Sequence, residues 1–154
     1  MNYLELEILI IERLRAVLPN VHVLGNADVS GVKFNQQPVP AVHVILATDN
    51  PSDQVCKGRE QRIQQKWYAT IAVRNTADLQ RHTLARHELG LLIYRTLAGL
   101  QSWKPLTANE SGLPIYKELE RVRAMANPWS HEGFAYYPLL FQTEFVINLD
   151  WITL

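Results

Sequence analysis

The chain has 154 residues, 47% of them apolar and 19% charged, enough for one folded core without disulfides or metal and far from the composition of a disordered protein. Fifteen basic and fifteen acidic residues cancel to a formal charge of zero, which argues against a bulk nucleic-acid binder. The single cysteine, Cys56, excludes an intrachain disulfide and a paired-cysteine metal motif and makes a reducing compartment the default.

Residues 2–18 have the period of a helix. Leu4, Ile8, Ile11, Leu14 or Arg15, and Leu18 recur at three- and four-residue steps, Leu9, Ile10 and Val17 widen the stripe, and Pro19-Asn20 stops it. So wide a stripe fits a helix packed on a sheet, or one whose spare face meets a second subunit. Glu5, Glu7 and Glu12 interrupt it, and it lacks a basic leader and a small-residue cleavage site, so a signal peptide is not expected. No stretch reaches the roughly 20 apolar residues of a membrane-spanning helix, so the expectation is a soluble, intracellular protein.

Residues 21–24 suggest a short strand, and 25–40 a long loop with a short edge strand at 31–34. Residues 40–48 (PAVHVILAT) are apolar on both faces, as in a central strand. Asn50-Pro51-Ser52-Asp53 is a turn signal, so 49–58 is expected to be a loop. The next strand runs from about Gln61 to Arg74, antiparallel to the last. Trp67, Ala69, Ile71 and Val73 share its core face; the half from Arg59 to Lys66 is polar and expected to project.

A second long helix follows, capped by Thr76 or Asp78 and running to about Leu100. Leu84, Leu91, Leu92, Ile93, Tyr94, Leu97 and Leu100 are expected on its buried side. Residues 115–124 alternate weakly and read as a strand, and 126–133 as a loop. The clearest strand is the last, with Leu139, Phe141, Thr143, Phe145, Ile147 and Leu149 on one face. The order predicts a single α+β domain over residues 1–154. It has a largely antiparallel sheet, two main helices packed against it and a projecting β-hairpin over about 49–66.

Chemistry is hard to find. The sequence has no GxSxG, P-loop or GxGxxG motif. His82 and His87, five apart, fall on different faces of a helix, and His87-Glu88 lacks the second histidine of a zinc protease. His43, inside a central strand, reads as a core-edge histidine bonded to a neighbour rather than a ligand. Cys56 lies near Lys57 and Arg59 with no base or oxyanion site indicated. The run Lys57, Arg59, Arg62, Lys66 beside Trp67 and Tyr68 suggests a protein-contact arm more than a single-stranded nucleic-acid surface, because Glu60 and the glutamines dilute it. No catalytic, cofactor or metal residue is assigned.

The order of ERLRAVLP, PAVHVIL, QKWYATIAVRN, LGLLIYRTLAGLQSWKP and YYPLLFQTEFVI resembles the tail terminator (tail completion) proteins of long-tailed phages and prophages, the Mu-like and lambda-like groups included, over about residues 4–148. The most specific pieces are Leu97–Pro105 and the strand from Tyr137 to Phe145. The resemblance implies a structural α+β protein with no enzymatic activity and no cofactor. It implies a hexameric ring that caps the finished tail tube, stops its polymerisation and faces the head connector, with DNA passing through the lumen without specific binding. Assembly would take place in the host cytoplasm and the product would stay in the virion tail. On that basis Asp53, Arg59, Glu60, Arg62 and Lys66 are expected to orient a subunit or tube contact, and Trp67, Tyr68 and Trp103 to supply its buried aromatic anchors. Two other readings stay beside it: another neck or head–tail joining adaptor, and a small-molecule or nucleic-acid-binding domain marked by a deep polar pocket.

Overall fold

A computed structural model describes residues 2–31, 33, 36–55, 59–74, 79–106 and 115–149, with the backbone alone at 29, 53–55 and 79–85. Three strands of 15 residues dominate it: β2 (Ala41–Val55), β3 (Glu60–Arg74) and β6 (Phe134–Asn148). At the usual rise per residue each is about 50 Å long. β3 and β6 pair antiparallel from Glu60↔Asn148 to Arg74↔Phe134 without a slip. β1 (His22–Gly25) pairs parallel to β2, β4 (Glu120–Val122) lies outside β6, and β5 (Trp129–His131) pairs with the start of β6. The sheet order is β1-β2-β3-β6-β4. The expected α+β architecture is the one observed.

Alternation places the core. Val42, Val44, Trp67, Ala69, Ile71, Leu139, Phe141 and Phe145 are buried on one face, under α1 (Glu5–Val17) and α3 (Leu79–Leu100). α1 buries Leu6, Ile10 and Leu14 and keeps Glu5 and Glu7 in its first turn, where they suit the helix dipole. The two helices touch closely at Gly99, where a Cβ would come within 2.8 Å of Val17 Cγ2. Arg13 Nε then donates to the Gly99 carbonyl at 3.0 Å. Ser102 (φ 60) takes the left-handed position that ends α3.

Several expectations need correction. Residues 49–55 are strand, not loop, because β3 pairs with them after register breaks at Leu46/Thr48 and Pro51/Gln54. The polar half of β3 is paired on both sides, so the hairpin is three strands wide and has core of its own. Ile63 and Phe145 are buried there, with Tyr3 and Tyr116 edge-on to Phe145 at 5.8 and 5.1 Å. Loop 25–40 holds a short helix, α2 (Asn26–Ser30); Gly31 and Lys33 are not strand, and Val32 and Phe34 lie outside the described residues.

On α3, Leu91 and Tyr94 point outward, 44% and 72% exposed, because Leu92, Thr96 and Leu100 set the buried side. Thr76, Asp78 and the Leu84 side chain lie outside the described residues. In 115–124 only β4 is strand, and burial falls at Tyr116 and Leu119. The chain bonds there first to β6 (Lys117 N to Glu144 O, 2.9 Å) and then to the end of α3 (Leu119 N to Trp103 O, 2.9 Å), which breaks the two-residue period. β5 was expected to be loop. It closes on β6 through Glu132 (φ 47) and Gly133 (φ 82), a two-residue turn of the type that matches strand twist.

Pro138 sits mid-strand in β6. Glu144 turns its carbonyl away from β3, so Pro138, six residues back, turns its missing N–H the same way. It falls between the stretches paired with β5 (134–136) and β4 (140–142), where no ladder bond is lost.

Candidate functional site

The hairpin carries most of the residues expected to make contacts. Ile63, Gln65 and Trp67 face the helices, so Arg62, Gln64 and Lys66 face the other way, on a side of the sheet from which the two long helices are absent. Across the strands on that side lie Asn50, Gln142, Glu144 and Val146. The result is an amide-rich sheet face with charges of both signs. Lys117 Nζ reaches Glu144 Oε2 at 2.6 Å, and this bond, with help from the Lys117 and Arg62 charges, holds the Glu144 carboxyl below its usual range. Arg59 stands at the hairpin end, its Nη2 donating to the Leu149 carbonyl at 3.1 Å. Glu60 opens β3 opposite Asn148 and is half-buried; the Asp53 side chain is outside the described residues.

The aromatic anchors lie elsewhere. Trp67 is 2% exposed in the monomer core, packed opposite Leu46 and Phe141, so it is no surface contact. Trp103 is half-buried beneath the Arg13 guanidinium, 5.8 Å from its ring centre. Tyr68 is half-buried on the second face, where its hydroxyl accepts the Met125 N–H at 3.2 Å. Trp67 is covered by the core, while Trp103 and Tyr68 keep part of their surface open beside their contacts within the fold. The polar members, Arg59, Glu60, Arg62 and Lys66, stay together on the hairpin.

A hydrogen-bonded chain that the sequence did not announce ties the hairpin to the turn that leads into α1. Trp67 Nε1 donates to Gln65 Oε1 at 3.1 Å, Gln65 Nε2 donates to Asp49 Oδ1 at 3.1 Å, and Tyr3 Oη donates to Asp49 at 3.0 Å. Gln65 is fully buried, and these bonds make that possible. Burial pushes the Tyr3 phenol up to about 12, with the Asp49 hydrogen bond and charge adding to it. Tyr116 is also pushed up to about 12, by burial and then by the Glu5 charge.

Both phenols therefore keep their protons longer in the folded chain than at the ordinary value of 10.0. The stability they contribute is complete below pH about 10 and is lost as pH rises towards about 12. Tyr3→Phe cannot ionise, so melting temperatures measured across that window are expected to fall less steeply than in the unaltered protein.

His43 is buried against the Tyr136 ring at 6.4 Å; burial lowers its pKa, and Nε2 has no hydrogen-bond partner. The expected neighbour bond is absent at that nitrogen. Among the described residues no three metal-ligating side chains come together. A groove of about 460 Å³ runs along β4 and β6 past Lys104, Tyr116, Lys117, Glu118, Glu120 and Gln142. No described helix is long and apolar enough to cross a membrane.

With this geometry in place, comparison with known proteins is informative. The family model described as phage tail terminator protein matches residues 1–151. The chain belongs to that family. Membership supports a structural role in tail and virion assembly. The fold is also similar to a chain from the virion of a native gene transfer agent particle, with a TM-score of 0.52 and 13% identity over 92% of this chain and 94% of that one. No curated protein matches it.

Proposed function

We propose that the protein caps the phage tail tube as a ring of identical subunits, ends tube polymerisation there and offers the surface to which the head joins. It acts as a structural component, not an enzyme. Its partners are its own copies, the tail tube and the head connector. DNA passes through the ring without specific binding. Assembly takes place in the host cytoplasm and leaves the protein in the virion tail. The observation that carries this reading is the tail terminator match over residues 1–151, nearly the whole chain.

The hairpin adds physical support. Three long paired strands make a stiff sheet end, and Arg59, Glu60, Arg62 and Lys66 give it a mixed charge pattern of the kind that sets orientation and rejects wrong partners. We assign this polar face to the tube.

The test uses purified tail tubes and tube protein able to polymerise. Adding the protein is expected to hold tube length constant in electron micrographs and to place one ring at a tube end. Continued growth at saturating protein, with no end density, would overturn the reading.

A further inference from the structure

Several stretches along the edges of this sheet are capped against strand addition. Residue 22 turns its N–H towards β2, so Val23 and Gly25 turn outward, and both are occupied: Arg15 Nη2 donates to Val23 O at 3.2 Å, and Gly25 N donates to Asp28 Oδ2 at 3.1 Å. The free edge of β2 carries Pro51 and two register breaks. At the opposite edge, Arg121 N donates to Gln101 Oε1 at 2.8 Å, and Leu119 exchanges backbone bonds with Ser102 and Trp103. Prolines, bulges and side-chain caps are the devices by which sheets refuse edge pairing. Side-chain faces are then the better route by which copies of this chain can meet.

Two helix faces are suited to it. On α1, Leu4 and Ile8 are exposed one turn apart, and Glu12 continues the row. On α3, Leu91, Tyr94 and Ala98 are exposed at three- and four-residue steps, with Arg95 and Glu88 beside them. Other exposed large apolar side chains, such as Met125, Trp129 and Val146, are scattered over a loop and two strands. The α1 row carries the anion Glu12, with Arg15 one turn on committed to the Val23 carbonyl, and the α3 row carries the cation Arg95 beside Tyr94. Among the described residues Glu12 and Arg95 make no ion pair within the chain.

We propose that the Leu4–Ile8–Glu12 row of one copy packs against the Leu91–Tyr94–Arg95 row of the next. The apolar residues supply burial and Glu12 with Arg95 sets the register. The contact joins two different patches, so each copy keeps one of each unfilled until the rotation closes. It rests on the ring reading above and names the surface that builds the ring, leaving the hairpin for the tube.

Charge exchange tests it. E12R and R95E, each made in the full chain, are expected to weaken ring formation at least about tenfold, measured by light scattering in solution and by end density on tubes, with melting temperature unchanged. The double variant E12R/R95E re-creates the pair with its signs reversed and is expected to recover assembly. Tyr94→Asp is expected to block it in every background. If single variants assemble like the unaltered protein, or the double variant does not recover, the contact is overturned while the ring stands. If the unaltered protein forms no ring in solution or on tubes, the ring reading itself falls and this contact with it.

Discussion

Trp67→Ala is expected to cost about 3–5 kcal/mol of folding stability, the range for deleting a large aromatic from a packed core. The ring lies between Leu46 and Phe141 and is 2% exposed. Its loss also deprives the Oε1 of the fully buried Gln65 of its donor, a further penalty of about 1–3 kcal/mol if the oxygen stays unpaired. A small domain has roughly 5–15 kcal/mol in all, so the variant should be largely unfolded at moderate urea concentrations. Urea titration followed by circular dichroism measures this. Trp67→Phe keeps one aromatic ring in the core but loses the N–H and the pyrrole half of the indole, so its cost should be smaller than that of Trp67→Ala without being zero. A stable Trp67→Ala monomer that fails only in assembly would return Trp67 to the interface from which its burial removes it.

What could be read from the sequence follows from how local each signal is. The last strand was plain because Leu139, Phe141, Thr143 and Phe145 alternate without interruption and all end up buried. The second strand was cut short at Thr48, since Asn50-Pro51-Ser52-Asp53 has turn chemistry; pairing with β3 and two breaks in register overrode it. The turn between β5 and β6 was missed, and 126–133 read as loop, because β5 is only three residues long and Glu132-Gly133 is a weaker hairpin signal than Asn-Gly.

Faces were harder than elements. The second half of α3 is apolar almost all round, with Leu89, Leu91, Leu92, Ile93, Tyr94 and Leu97, so periodicity could not say which side is buried. The close contact of Gly99 with Val17 decides it, and that depends on another helix. For the same reason composition could not separate Trp67 as core from Trp67 as an interface anchor: a buried aromatic looks alike in both. The polar residues were more legible. Arg62 and Lys66 point away from the helices because their neighbours Ile63, Gln65 and Trp67 point towards them, a consequence of the two-residue period alone.

That period isolates the second large effect. Arg62→Glu with Lys66→Glu changes two side chains on the hairpin face outside the helix layer, so the fold should lose no more than about 0.5 kcal/mol per site. Glu144 would lose the Arg62 charge that helps to keep its carboxyl acidic, but keep the stronger hydrogen bond from Lys117. Tube capping should respond far more. Reversed charges at an oriented interface cost several kcal/mol, and every subunit of a ring repeats the change, so end binding should weaken on the order of 100-fold or more. The loss should deepen at low salt, where like charges are least screened. Ring formation by the same variant should stay normal, because the proposed contact between copies uses α1 and α3. Capping that survives the reversal at every salt concentration would free the tube of this face. Loss of ring formation with it would mean that hairpin and helix faces form one continuous surface, and the division of work between them would have to be redrawn.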